Sequence, residues 1–364
     1  MKSYNHMYEK MIDPTNVQHA YHTVALHKSG NKTMQRIMEM QDPIGFFIEY
    51  VQTFENGKHT PIQINDGLSK KKRIIIVPNC YEQVVHHMIA EPFKQIVLHG
   101  LYEHAYGSIP GRGAHKAKKK VSKWIRKDRK HTKFCLKMDI KKFFDSIPHE
   151  ILIEKLQETI HDEKYLELFI KIINITEKGI PLGFYTSQWL ANFYLKDLDH
   201  YIKEELGAKH YVRYMDDMVV FGGNKRKLHK MRKKIQEYLE TELGLILKGN
   251  WQVFRLDYID EYGEHRGRDL DFMGFRFYRD RTVLRKSIMI KLSRKAKKLH
   301  KKGKITIYDI RQMLSYLGWL KATDTHSLYE NHVVCNIDFE YCKQRVSDYD
   351  KRANKRLKKQ LQVA

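Results

Sequence analysis

Hydrophobic and polar positions change their period several times along the chain, and the changes mark its elements. Residues 1 to about 60 carry weak helical spacing broken at Asp13-Pro14 and Ser29-Gly30-Asn31, a helical N-terminal extension. From Ser69 a basic cluster, Lys70-Lys71-Lys72-Arg73, runs into the β-branched stretch Ile74-Ile75-Ile76-Val77-Pro78, which predicts a strand. Helical spacing returns through Val84, Met88 and Phe93, and a glycine-punctuated basic loop from Tyr106 to Lys116 precedes a helix with a basic face reaching Trp124. Phe134 to Ile140 reads as a short strand, Pro148 to Ile173 as helical, and Gly183 to Lys203 as a helix with an apolar stripe. Tyr211 to Phe221 differs, because two short apolar runs flank Asp216-Asp217, the pattern of a tight hairpin with charges at its tip. A long basic helix (Lys225 to Leu243) and strands around Trp251 and Phe272-Met273-Gly274-Phe275 follow. From Leu284 the chain is helical and densely basic, with an apolar seam expected from Ile288, Ile290, Leu292 and Leu299.

No internal repeat and no Pro- or Ser-rich linker interrupts this pattern, so an α/β (α+β) body of two or three subdomains is expected from 364 residues. Composition adds the partner. The formal net charge is +24, and with 42% hydrophobic and 12% aromatic residues the chain has a real core, which excludes wholesale disorder. Such an excess points to a polyanion, usually nucleic acid, because each neutralised phosphate releases a counterion. Cys80, Cys135, Cys335 and Cys342 form neither a CxxC pair nor a disulfide framework. No apolar run approaches the roughly 18 residues of a membrane span, so a cytoplasmic protein without membrane contact is expected.

Against this basic background the acids stand out. Asp139 closes the predicted strand Phe134-Cys-Leu-Lys-Met-Asp139, and Asp216-Asp217 sit between apolar runs that two adjacent carboxylates disfavour by mutual repulsion. An isolated Asp-Asp is ordinarily a solvated turn. With a third acid ending another strand, a pair of divalent cations held between the strands becomes the natural neutraliser, the arrangement used for in-line phosphoryl displacement.

These residues resemble a known family. Tyr214-Met215-Asp216-Asp217 is similar to the Y-x-D-D signature of reverse transcriptases, and Asp139 with Phe143 and Phe144 resembles their first catalytic motif. Ile180-Pro-Leu182-Gly183-Phe-Tyr-Thr-Ser187-Gln188 resembles their template-and-nucleotide motif, and Phe272-Met273-Gly274-Phe275 their primer grip, all in order across about 140 residues. The resemblance implies a right-hand polymerase: residues 61–135 as fingers, 136–280 as palm with fingers helices near 150–178, and 281–364 as a basic helical thumb. It also implies catalytic Asp139, Asp216 and Asp217, which with Ile140 would hold two Mg²⁺ ions, Mn²⁺ being a substitute. Lys72, Arg73, Phe143, Phe144, Leu182, Gly183 and Lys248 would bind the nucleotide, Phe144 as the steric gate against a 2′-hydroxyl. Arg112, Ser187, Gln188, Tyr214, Met215, Phe272, Met273 and Gly274 would meet template and primer.

Departures from the family pattern narrow it. Leu182-Gly183 stands where Gln-Gly is usual and Ser187-Gln188 where Ser-Pro is usual, a form similar to diversity-generating retroelement enzymes, as are Thr282 to Ser287 and Trp319 to His326. An aliphatic Leu182 cannot donate an amide's hydrogen bonds to the nucleotide, which implies error-prone copying. The lysine usual after Leu-Gly-Leu is replaced by Trp251, with Lys248 nearby. The implied activity is RNA-directed DNA synthesis, with dNTPs, a DNA or RNA primer, a structured noncoding RNA template, and an accessory protein or homo-oligomer as partners, in a bacterial or phage retroelement. A defence-associated reverse transcriptase and a noncatalytic RNA-binding scaffold on the same fold remain open alternatives at this point.

Overall fold

The computed structural model describes residues 4–65, 72–302, 305–325 and 333–363. Four short helices open the chain: α1 (Met7–Ile12), α2 (Pro14–Lys28), α3 (Lys32–Met38) and α4 (Pro43–Tyr50). Asp13, Asn31 and Asp42 cap the last three through their side chains, so the breaks read from the sequence are helix starts. After the hairpin of β1 (Ile62–Asn65) and β2 (Lys72–Ile75) comes α5 (Cys80–Leu98), which begins in a capping box of Asn79 and Glu82 and receives α1 and α2 on its flank. Lys70 and Lys71 of the basic cluster, and His326 near the C-terminus, lie outside the described residues.

The middle of the chain contains α6 (Ala114–Lys127), β3 (Phe134–Asp139), α7 (Phe143–Ser146), α8 (His149–Thr159), α9 (Glu163–Ile173), α10 (Tyr185–Tyr194) and α11 (Lys196–His200). Then come β4 (His210–Tyr214), β5 (Asp217–Gly222), α12 (Lys225–Thr241) and β6 (Gln252–Arg255). The single helical segment expected over Pro148 to Ile173 is two helices. Ile160 bridges to Tyr4, His161 N–H donates to the Tyr4 carbonyl at 3.0 Å, and Asp162 caps α9. A long-range partner thus outbids local periodicity.

Strands β4, β5, β3 and β6 form, in that order, an antiparallel sheet. Leu136, Met138, Tyr211 and Val220 enter a helical core that includes α5, α10 and α12, while Cys135, Val212, Val219 and Phe221 enter a second core on the other face. Burial on both faces explains why these strands read as apolar runs without alternation. The chain continues through a separate two-stranded ribbon, β7 (Tyr258–Ile259) and β8 (His265–Arg266), and the second core is completed by α6 and by β9 (Leu270–Phe272), β10 (Phe275–Phe277), β11 (Thr282–Leu284), α13 (Lys286–His300), α14 (Ile307–Lys321) and α15 (Phe339–Val363). The seam of α13 is Ile288, Met289, Leu292, Ala296 and Leu299. Ile290, expected within it, is 39% exposed, because two residues along a helix turn about half way round, to the opposite face.

Candidate active site

In the sheet, Asp139 at the end of β3 pairs in register with Asp217 at the start of β5. Directly paired residues of antiparallel strands share a face, so both carboxylates lie on the side that carries Lys137. Tyr214 pairs with Asp217, leaving Met215-Asp216 as the two-residue connection between β4 and β5. Met215 has φ 54°, a left-handed conformation that costs a side-chain-bearing residue about 1–2 kcal/mol. The surroundings enforce it. Arg213 Nη1 donates to the Met215 carbonyl at 3.1 Å, and Asn192 Nδ2, which donates to the Gly107 carbonyl at 3.1 Å, lies 3.9 Å from Met215 Sδ. A Cβ on Gly107 would stand 2.5 Å from Met215 N, so only glycine lets this loop press against the turn.

Beneath the turn the buried Arg213 meets buried Asp199: Nε donates at 2.7 and 3.0 Å to its two oxygens, and Nη2 donates at 2.6 Å. Tyr211 Oη donates to the same carboxylate at 2.7 Å. The sequence reading missed Asn192, Asp199 and Arg213. The available signal was an arginine inside the apolar run Tyr211-Val212-Arg213-Tyr214, since a buried charge requires a buried partner.

The electrostatics of the acids follow from crowding. Burial, then the charge of Asp139, pushes the Asp216 carboxyl up to about 6. Burial also raises Asp217 to about 7 against the opposing pull of Lys137, whose Nζ stands 3.8 Å from Asp217 Oδ2. Asp217 Oδ1 is buried without a hydrogen-bond partner. Asp139 is neutralised by Lys248, whose Nζ donates to Oδ2 at 2.8 Å while its N–H donates to the Asp139 carbonyl at 2.8 Å. The hydrogen bond to Asp139 raises the Lys248 ammonium above its ordinary value. Trp251, at the position where a lysine was expected, instead lies under the Arg232 guanidinium at 4.5 Å. An orphaned carboxylate oxygen and two acids held protonatable near neutrality are what a cation site looks like before the cation, so the residues present fit divalent metal. Ile140 bridges to Leu247 through bonds made by Asp139 O and Lys141 N, which leaves its own carbonyl out of that ladder.

The nucleotide-side residues approach from two directions. Lys72 and Arg73 are exposed on β2, and the Arg73 charge pulls the Asp216 carboxyl downward against its burial, which brings the hairpin into the field of the acids. Ile76 N–H donates to the Leu182 carbonyl at 2.7 Å. Gly183 has φ 111°, and a Cβ there would meet Ile76 O at 2.3 Å, so glycine is required for this join. Phe144 is half-buried, its carbonyl accepting from Ile180 N at 2.8 Å. Phe143, expected beside it at the nucleotide, is a core residue with 3% exposure.

With this geometry in place, residues 57–254, more than half the chain, match the family described as reverse transcriptase (RNA-dependent DNA polymerase). The chain belongs to the reverse transcriptase family. It is 26% identical over 208 residues to the retron Ec73 reverse transcriptase of Escherichia coli, covering 53% of this chain and 63% of that protein. It is 31% identical over 153 residues to an uncharacterised 91 kDa protein in a cob intron of Schizosaccharomyces pombe, covering 38% of this chain and 18% of that one. A telomerase structure from Candida albicans in complex with a telomeric RNA fragment aligns at TM-score 0.47 and 13% identity over 82% of this chain and 59% of that chain. The chain spans less than two thirds of the length of each of these relatives.

The residues expected at template and primer depart from several sequence expectations. Phe272-Met273-Gly274-Phe275 is the β9–β10 hairpin, with φ 52° and 84° at Met273 and Gly274. Lys137 Nζ ties it to the sheet by donating to the Asp271 carbonyl at 2.6 Å. The Phe272 ring is wholly buried and Gly274 is packed against Ile288 and Trp319, so Met273 alone offers a side chain at the tip. Ser187 was expected at template and primer, yet it is wholly buried in α10 with its hydroxyl unpartnered, whereas Gln188 faces a groove shared with Ser108, Pro110 and Tyr185. Arg112 lines the same groove, while its Nη1 donates to the carbonyls of Tyr102, Glu103 and Ala105 at 2.7–3.1 Å and closes its own loop. Tyr214 and Met215 are half-buried at the turn. Elsewhere, Asp257, His265 and Asp280 have potential ligand atoms within 4.8 Å of one another, but Arg281 Nη1 lies 3.2 Å from His265 Nε2 and 3.0 Å from Asp280, supplying the positive charge there.

Proposed function

We propose that the chain is an RNA-directed DNA polymerase that copies an RNA template into cDNA from a DNA or RNA primer, using deoxynucleoside triphosphates and two Mg²⁺ ions. The carrying observation is the convergence of Asp139, Asp216 and Asp217 at one edge of the sheet, with Asp217 Oδ1 buried and unpartnered. Bound metal would activate the primer 3′-hydroxyl and support the departing pyrophosphate. Asp139, Asp216 and Asp217 would hold the cations through their carboxylates and Ile140 through its carbonyl, Asp217 also deepening the negative field. Arg73 offers a bidentate grip to the triphosphate, and Lys248 adds positive charge on the same side. The Phe144 ring occupies the space a 2′-hydroxyl would need. Leu182, presenting no amide, leaves the nucleotide less discriminated, which supports an error-prone enzyme of a bacterial or phage retroelement acting with a structured noncoding RNA.

Asp216→Asn is the decisive test. Mg²⁺-dependent extension of a primer on an RNA template should vanish while RNA affinity is retained; continued synthesis by the variant would refute the assignment. A template repeat paired with a variable repeat in the neighbouring DNA would distinguish diversification from phage defence.

A further inference from the structure

A cluster of positive charge that the active site does not use lies at the opposite end of strand β3. A concave pocket at the edge of β6 is lined by Arg129, Lys133, Arg255, Arg279 and Tyr258 together with the apolar Leu256 and Ile259, with no carboxylate in its wall. Lys133 precedes β3 and Asp139 ends it, so six residues at about 3.3 Å each put roughly 20 Å between this pocket and the acids. Arg279 is structural: buried, it is consumed by the Ile125 and Thr132 carbonyls, the Thr132 hydroxyl and the Asp257 carbonyl at 2.6–3.1 Å. Burial, then the charge of Arg129, holds its guanidinium below the ordinary arginine value, two cations lining one pocket. Arg255 is exposed, with its guanidinium 3.9 Å from the centroid of Tyr258. Asp128, the acid beside Arg129, is turned toward Lys209, His131 and His210.

The pocket continues a basic line. In α6, which contains no acid, Lys116, Lys119, Lys123 and Lys127 are exposed at spacings of three and four, one solvent face about 16 Å long. Glu103 and Asp324 pair with Lys120 and Arg126, off this line. Arg129 follows directly after the helix. A cationic track that ends in a concave arginine–tyrosine pocket fits a phosphate backbone leading to an unstacked base. RNA stems with unpaired loops offer that combination, whereas a continuous DNA duplex keeps its bases stacked.

We propose that the Lys116–Lys127 face of α6 and the Arg129/Lys133/Arg255/Tyr258 pocket form a second RNA-binding surface, which holds a structured RNA by a stem and an unpaired nucleotide while the template–primer occupies the acid site. Only the choice of RNA over another polyanion rests on the reading of the chain as an RNA-templated polymerase.

The test uses the full chain with three probes: an RNA stem-loop, a DNA duplex of equal length, and a preannealed DNA primer on an RNA template. Arg129→Glu/Arg255→Glu should weaken stem-loop binding at least tenfold and flatten its salt slope by about two, since each phosphate contact contributes roughly 0.9. Tyr258→Ala should weaken the stem-loop several-fold and leave a loopless stem unaffected. Wild-type protein saturated with template–primer should bind the stem-loop with unchanged affinity, and the variants should extend the preannealed primer at the wild-type rate. Arg255→Gln/Lys133→Gln, with its melting curve, guards against a folding defect in the charge reversal. An unchanged stem-loop affinity in these variants, competition between stem-loop and template–primer, or an equal loss for the DNA duplex would each overturn the proposal. If the wild type fails to extend the primer, the polymerase reading falls while the arginine dependence of stem-loop binding is still decided.

Discussion

Arg213 and Asp199 form a buried fork of hydrogen bonds, 2.6–3.0 Å long, directly below the turn that carries Asp216. Through Nη1 the same guanidinium also holds the carbonyl of Met215, so a salt bridge in the core sets the backbone of the Met215-Asp216 turn. Removing one partner of such a pair leaves a buried charge unmatched, at a cost of about 3–5 kcal/mol. Asp199→Asn should therefore lower unfolding stability by that amount in denaturant titration. Arg213→Lys keeps the charge but loses the fork. It should cut the rate of nucleotide addition about tenfold or more with template–primer affinity unchanged, and a wild-type rate would show that the turn does not depend on the fork.

Asp217 stores a cost that bound metal would relieve. Its carboxyl is raised to about 7 by burial, against about 4 in an unfolded chain. A carboxyl raised on folding contributes stability that is complete below pH 4 and is lost as pH climbs toward 7. Metal-free Asp217→Asn protein should consequently melt higher than the wild type at pH 8, the gap closing toward pH 4 and shrinking when Mg²⁺ is added. A lower melting temperature for the variant at pH 8 would contradict this.

Phe144 is half-exposed and its backbone is fixed by the Ile180 N–H, so its ring can be trimmed without reorganising the loop. Phe144→Ala should raise ribonucleotide incorporation relative to deoxynucleotide by tenfold or more, measured in single-nucleotide extension. Unchanged sugar selectivity would remove the ring from the gate.

His86 is wholly buried, and neither ring nitrogen has a partner. Burial, then the neighbouring His87 and His59, lowers it to about 3. The folded chain keeps it neutral while the unfolded chain protonates it below about pH 6.5, so stability should fall on acidification from 6.5 toward 3, by up to about 1.4 kcal/mol per pH unit. His86→Leu should flatten this acid shoulder in thermal melts between pH 6.5 and 5.

The acidic hairpin was legible because its acids contradict their apolar neighbours, and that local conflict survives in one dimension. Leu182-Gly183 was legible for a related reason: glycine at a positive φ leaves a mark in the sequence. Phe143, Ser187 and Phe272 were misplaced because a motif names residues without saying which face is covered. Phe143 and Phe144 are adjacent, yet one enters the core and the other the cleft, and α10 is buried nearly all round. That Arg112 also ties three backbone carbonyls of its own loop was not legible, a contact that no periodicity encodes.

The sequence by itself determined the order of the elements, the basic excess, the three acids and their place at strand ends, because these depend on side-chain type and spacing. Tertiary structure alone decided that Asp139 stands opposite Asp217, that Lys248 neutralises it, and that Arg213 and Asp199 support the turn from below. Those relations join residues from 14 to 109 positions apart, and only strand pairing and the demand of buried charges for partners bring them together.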